Sequence, residues 1–417
     1  MKRTFFAIIF ILPLLTVAQD GTSWRQNSMI YTPELLVGWS NKANENFPEA
    51  RFQKQVGLSI RRNQKNNPQE WAQRMRNIKT GLSFMLTDFD NRDDLGFAIT
   101  VMPIIEFPIF GSERLKLQSG LGVSYHNRKF HEEKNPYNQA ISKSLAWAYR
   151  LYLYYDIAQF TQIDWRIGGG YSHHSNGHTK LRNQGLNSFL IGVSADIKPY
   201  DNKRNSHENS AFEDFSNSVY SYLSFRTGLG KNVLSTAFND KRNVYVFSGE
   251  YGKVFNNTWK IGMGFYYNFY QHYYDYINDN HSLVQPGREF YRFQKNPFIY
   301  ASNVGLTIHG EVLLNHFGID LNFGYNLYKP AYKIDWRINE GWRNTPVEIP
   351  ENWVLGEYND YFKLKYRISA RLGLKYYFLG THVFQKHNLF VGAHINSNLG
   401  QADFSELSFG YVYNFKR

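Results

Sequence analysis

The sequence predicts an all-β chain folded as a single transmembrane antiparallel β-barrel of the outer membrane, with about fourteen strands (twelve to sixteen allowed) and a short helix near the N-terminus. Three observations carry that expectation. Apolar and polar residues alternate over ten or more positions in several stretches, and in a strand successive side chains point to opposite faces. After the N-terminal leader no run approaches the roughly 18 apolar residues a membrane helix needs. Yet 18% of the 417 residues are aromatic, with 31 Tyr and 33 Phe. A chain that is polar on average but rich in aromatics suits a barrel wall, where only alternate residues meet lipid.

The elements follow in order. Met1–Ala18 reads as a signal peptide: Lys2 and Arg3 form the basic end, Phe5–Val17 the apolar core and Thr16-Val17-Ala18 the small-residue cleavage site. Its core is too short for a membrane helix. Residues 19–417 are then the barrel. The chain has no cysteine, which excludes disulfides and thiolate metal sites. The net charge is +12, or +10 once Lys2 and Arg3 are removed. Basic charge suits an anionic lipid surface. Nucleic acid is discounted as a partner, because the charges are spread and the chain is exported.

Ser23–Asn63 holds two strand candidates, around Tyr31–Trp39 and Gln55–Arg61. Asn67-Pro68-Gln69-Glu70-Trp71 predicts a short helix running to about Arg76, with Asn67 as N-cap and Pro68 at the first helical position. From Ile78 the alternation is regular. Leu115, Leu117, Leu121, Val123 and Tyr125 oppose Lys116, Gln118, Ser124 and His126. Phe317, Ile319, Leu321, Phe323 and Tyr325 oppose Gly318, Asp320, Asn322 and Gly324. The clearest run sets Leu364, Tyr366, Ile368, Ala370, Leu372 and Leu374 against Lys363, Lys365, Arg367, Ser369, Arg371 and Lys375. About sixteen candidate strands lie between Tyr31 and Phe415, in runs longer than the five to six residues usual in soluble sheets. Two barrels, split near the polar and unpatterned Tyr200–Asn217, are the alternative. The longer polar loops 200–217, 272–298 and 329–361 are expected outside the cell, since such barrels keep their periplasmic turns short. Leu407, Phe409, Tyr411, Tyr413 and Phe415 share one face of a last strand. This resembles the aromatic C-terminal signal read by barrel-assembly machinery, displaced here by Lys416-Arg417.

The chemistry concentrates in Gly168–Asn187, which reads GGGYSHHSNGHTKLRNQGLN. Parity places Trp165, Ile167, Tyr171, His173 and Ser175 on the lipid-facing side, and Asp164, Arg166, Ser172 and His174 inside. A histidine and a serine on the lipid side are costly unless they pair or react. Residues i and i+2 lie about 6.5–7 Å apart at Cα, so an imidazole can bend to the serine oxygen and activate it. Asn187 opens the next strand, with Phe189, Ile191 and Val193 on its face. A hairpin centred near Leu181 would set Asn187 opposite Ser175, where it could orient His173. Asp196 is the acidic alternative, but it has the wrong parity and lies about 30 Å further along. Asn183 and the loop amides near Gly177 are candidate oxyanion donors.

At these residues the chain resembles the lipid A 3-O-deacylases of the PagL type, outer-membrane barrel esterases. Their signature, H-x-S-N-(G/A) followed after a short gap by N-x-G-x-(E/N), stands here as His173-His174-Ser175-Asn176-Gly177 and Asn183-Gln184-Gly185-Leu186-Asn187. The resemblance implies Ser175 as nucleophile, His173 as base and Asn183 as an oxyanion residue, with Asn176 and Gly177 beside it. Asn187 stands where the best-known members carry a glutamate, and Gln184 where a proline is often found. Asn67-Pro68, Leu95-Gly96 and Asn135-Pro136-Tyr137-Asn138 also look like the larger Bacteroidetes-type relatives. The likeness covers about 65–200 and leaves 218–417 as additional barrel strands. It implies lipid A in lipopolysaccharide as substrate, the lipid of the Gram-negative outer membrane as surroundings, and no cofactor.

Other chemistry is sparse. His173, His174 and His178 invite a zinc reading, but His174 has opposite parity and no carboxylate lies nearby, so no metal is expected. Lys180 and Arg182 are candidate contacts for a lipid A phosphate. The alternative to an esterase is a non-enzymatic porin or transporter that carries an idle motif.

Overall fold

The computed structural model describes residues 29–43, 47–49, 52–160, 162–198, 215–343 and 358–416; the signal-peptide region lies outside them. Among the described residues sixteen strands form two closed antiparallel barrels of eight, which corrects the expectation of one barrel. The first comprises β1 (Met29–Asn41), β2 (Gln53–Asn63), β3 (Lys79–Asp88), β4 (Phe97–Ile109), β5 (Ser112–His126), β6 (Leu145–Gln159), β7 (Ile163–Ser175) and β8 (Leu186–Ile197). The second comprises β9 (Val219–Asn232), β10 (Arg242–Phe255), β11 (Trp259–Tyr270), β12 (Ser302–Leu314), β13 (Phe317–Tyr328), β14 (Ile368–Tyr377), β15 (His387–Asn398) and β16 (Gln401–Phe415). Closure is made by β8 on β1, from Tyr31↔Ile197 to Asn41↔Asn187, and by β16 on β9, from Ser405↔Lys231 to Phe415↔Ser221. Residue alternation is the same in a barrel of any size; long-range pairing decides where the sheet closes.

An eight-strand barrel is just wide enough for side chains to fill it. The first lumen holds Arg61 between Glu106 and Asp196, with Arg166 2.9 Å from Glu106 and Lys79 2.8 Å from Asp196. In the second, Glu311 meets Lys260 at 3.3 Å and Lys375 at 3.0 Å, and Asp320 meets His309 at 2.9 Å and Arg371 at 3.0 Å. These charges are buried, and burial is tolerable only because each is paired. Both lumens are therefore filled in part by their own buried ion pairs. Asp196 belongs to this interior network. Outside, each barrel exposes rows of large apolar side chains, such as Leu35, Val37 and Trp39 on β1 and Ile261, Met263 and Phe265 on β11. Strands of ten to fifteen residues with such a wall fit hydrocarbon.

The β7–β8 connection, 176–185, lies at the same end as 42–52, 89–96 and 127–144 of the first barrel and 233–241, 271–301 and 329–367 of the second. The opposite end carries short turns, such as 110–111, 256–258 and 315–316. The segment 200–217, expected on the same side as 272–298 and 329–361, joins β8 to β9 in the chain. Most of it lies outside the described residues.

Helix α1 (Glu70–Arg74) connects β2 to β3 and starts later than expected. Gln69 is its N-cap, and Asn67 Oδ1 instead accepts from Gln69 N at 3.1 Å. Trp71 of α1 clusters with Ile78 and Ile105, against which Leu314 and Ile319 of the second barrel pack, and Asn257 Nδ2 donates to Glu70 Oε2 at 2.8 Å. Helices α2 (Gln271–Asn278), α3 (Pro297–Tyr300) and α4 (Tyr332–Arg343) sit in the long loops. Helix α5 (Asp360–Arg367) corrects the run that read as the clearest strand, which begins only at Ile368. Asn359 caps it by accepting from Phe362 N at 2.9 Å.

Candidate functional site

Strand β7 carries the parity read from the sequence. Trp165 and Ile167 are exposed on the outer wall, whereas Asp164, Arg166, Ser172 and His174 are buried inside. His174 Nδ1 pairs with Ser124 Oγ at 3.0 Å and its ring meets His126 edge-on, so it cannot join His173 at a shared ligand. The hairpin register differs from expectation by two residues, which keeps the face: Asn187 lies opposite His173, not Ser175. Cross-strand partners bring side chains within reach of each other, and His173 Nδ1 is 2.7 Å from Asn187 Oδ1. Tyr171 OH donates to the same Oδ1 at 2.6 Å, and its ring stacks on His173 at 6.3 Å. Parity had placed Tyr171 on this face without giving it a role.

Ser175, only 3% exposed, ends β7. Its Oγ accepts from Asn183 Nδ2 at 3.0 Å and from Gly177 N at 3.2 Å. Asn183 Oδ1 in turn accepts from Asn176 N at 2.9 Å. Asn176 Nδ2 donates to Ser142 Oγ and to Lys180 O, so Asn176 staples the loop and does not touch the serine. Among the described residues His173 and Ser175 share no hydrogen bond. With Asn187 Oδ1 as acceptor, the proton sits on Nδ1, and Nε2 is the free basic nitrogen.

Two glycines are required by geometry. Gly185 has φ +74, and a Cβ there would lie 2.9 Å from His173 Cε1. Gly177 has φ +63, and its Cβ would lie 2.1 Å from Ser405 Oγ of the second barrel. The adjoining loop 127–144 braces the site from the other side: Gln184 N donates to Gln139 O and Gly185 N to Ala140 O, both at 3.1 Å. A proline in place of Gln184 would lack that first donor. Asn135 and Asn138 both donate to Asp94 O, which ties this loop to 89–96.

The second barrel reaches the same loop, which nothing in the sequence signalled. Asn239 clasps Leu181, accepting from its N–H at 2.8 Å and donating to its carbonyl at 2.7 Å. Val233 N donates to His178 O at 3.2 Å. Trp147, the β6 neighbour of Ser175, donates through Nε1 to Ser405 Oγ at 2.9 Å.

These features define the first barrel as a membrane-type β-barrel in which His173 pairs with Asn187 and Ser175 with Asn183 around one loop. The family model of lipid A 3-O-deacylase (PagL) matches residues 49–196, which run from the β1–β2 loop into β8, so the first barrel is similar to that family over this segment. Among solved structures, the outer membrane enzyme PagL is 14% identical, with 39% of this chain and 97% of that one covered and a TM-score of 0.28. Outer membrane phospholipase A from Escherichia coli is 10% identical, with 93% and 90% covered and a TM-score of 0.16. Scores this low add no argument about the present chain. No curated protein matches it.

Proposed function

We propose that the chain is an outer-membrane serine esterase that removes the 3-O-linked acyl chain of lipid A. The observation that carries this reading is the pair of contacts around one loop: Asn187 Oδ1 on His173 Nδ1 at 2.7 Å, and Asn183 Nδ2 on Ser175 Oγ at 3.0 Å, both within the family-matched segment. A rotation about the Ser175 side chain would bring Oγ toward His173 Nε2; catalytic hydrogen bonds are often loose before substrate binds. His173 Nε2 then takes the hydroxyl proton as Oγ attacks the ester carbonyl carbon. Asn183 Nδ2 and Gly177 N, already beside Oγ, are placed to donate to the oxyanion that forms next to it. The imidazolium returns its proton to the departing sugar hydroxyl, and water, deprotonated by the same Nε2, releases the acid from the acyl-serine. Asn187 holds the ring and its tautomer throughout.

The outward direction of the cluster fits a substrate that arrives sideways through the leaflet. The test is to incubate purified protein with lipid A and assay released 3-hydroxy fatty acids by gas chromatography. Release by wild type and none by Ser175→Ala is expected. Equal yields from the two would overturn the assignment.

A further inference from the structure

The loop that carries Ser175 is covered by cations from both barrels. Lys143, at the end of loop 127–144, donates through Nζ to Thr179 Oγ1 at 2.5 Å, and Thr179 Oγ1 donates to Asn176 O at 2.8 Å. Lys180 follows in the same loop. Lys241 ends the β9–β10 loop of the second barrel, and, beside burial, Lys241 and Lys180 both help to hold the Lys143 ammonium below its usual pKa. The clasp between Asn239 and Leu181 explains the convergence: Lys180 precedes Leu181, and Lys241 lies two residues beyond Asn239. Among the described residues none of the three ammonium groups forms an ion pair with a carboxylate.

Like charges repel, and a fold gathers them without a counter-charge at a cost unless an anion completes the group. Lys143 is half-buried, so solvent neutralises it only in part. We propose that Lys143, Lys180 and Lys241 form a phosphate-binding subsite, completed by the second barrel, that takes a phosphate monoester. Three ammonium groups carry nine N–H donors, and with one of them on Thr179 eight are left for the acceptor oxygens of such an anion. The subsite stands over the Ser175 loop at the end where loops project beyond the wall, which is where a phosphorylated headgroup lies when its acyl chains enter the leaflet. As a substrate subsite it rests on the esterase reading above. It also gives the second barrel a part in that reaction, since Lys241 and the clasp both come from it.

The experiment uses full-length Ser175→Ala protein, so that binding is read without turnover. Its affinity is measured for vesicles containing phosphorylated lipid A, for vesicles containing the same lipid after enzymatic dephosphorylation, and for inorganic phosphate as competitor. The phosphorylated lipid should bind about tenfold tighter or more, a difference of about 1.4 kcal/mol. Adding Lys241→Ala, an exposed loop change, should remove most of the preference and leave binding of the dephosphorylated lipid unchanged. Lys143→Met should do the same, and heat-modifiable gel mobility checks that each variant is folded. Competition by millimolar inorganic phosphate would support the phosphate chemistry with a free anion as its source; absence of competition alongside the lipid preference would support the headgroup. Equal affinity for both lipids, or a preference that survives Lys241→Ala and Lys143→Met, overturns the proposal. Neither result depends on whether wild type cleaves the lipid, so failure of the subsite and failure of the esterase reading are told apart.

Discussion

His173 and Asn187 face each other across β7 and β8, with Nδ1 of the histidine 2.7 Å from Oδ1 of the asparagine. The asparagine can orient the ring but cannot meet an imidazolium with a charge. Asn187→Ala should therefore lower turnover by about 10²-fold, as expected when a general base loses its orientation. Asn187→Glu should match wild type or exceed it by up to about tenfold, because charged hydrogen bonds are roughly twice as strong as neutral ones. Steady-state hydrolysis of lipid A by the three proteins decides this. An Asn187→Ala protein as active as wild type would remove Asn187 from the site.

Gly185 makes room for the same ring. In Gly185→Ala the new Cβ would press on His173 Cε1 at 2.9 Å and sit at φ +74, where a side chain is strained by about 1–3 kcal/mol. Misplacing a catalytic group by about an ångström can cost 10²-fold in rate. Activity should fall by about that factor while the barrel still folds, as read by gel mobility. Undiminished activity in Gly185→Ala would show that the ring position does not limit the reaction.

Much of this was legible in the strands and little of it in the loops. The parity of β7 follows from Asp164, Arg166, Ser172 and His174 alternating with Trp165, Ile167, Tyr171 and His173, because barrel strands have one face in lipid and one in the lumen. Closure was not legible, since the contact of Tyr31 with Ile197 leaves no local period. The run 360–367 misled for a physical reason: Phe362 and Lys365, three apart, are the buried pair of a helix, and the same residues also satisfy an alternating count. The bonds of Asn239 to Leu181 and of Ser405 to Trp147 had no signal at all, because a single polar residue in a loop or near a strand end does not name its long-range partner.

The lysine cluster makes a stability prediction of its own. Burial, with Lys241 and Lys180 nearby, pushes the Lys143 ammonium from 10.5 down to about 7. The unfolded chain then binds more protons than the folded one between those values, so stability should rise with pH across that window. Below about pH 7 the charged Lys143 destabilises the fold in full. Lys143→Met removes this penalty, so it should be at least as stable as wild type at pH 6 and should gain less on going to pH 9. Thermal unfolding in one detergent at both pH values measures it. A Lys143→Met protein clearly less stable than wild type at pH 6 would contradict the clustered-charge account.

On the proposed reading Ser175 cleaves an ester of lipid A within the outer membrane. The most direct measurement is mass spectrometry of lipid A from Gram-negative cells expressing wild type or Ser175→Ala at equal levels in the outer membrane. The account predicts that wild type yields lipid A lighter by one 3-hydroxyacyl chain and that Ser175→Ala leaves it intact. Lipid A unchanged by wild type, or shortened equally by Ser175→Ala, would contradict it.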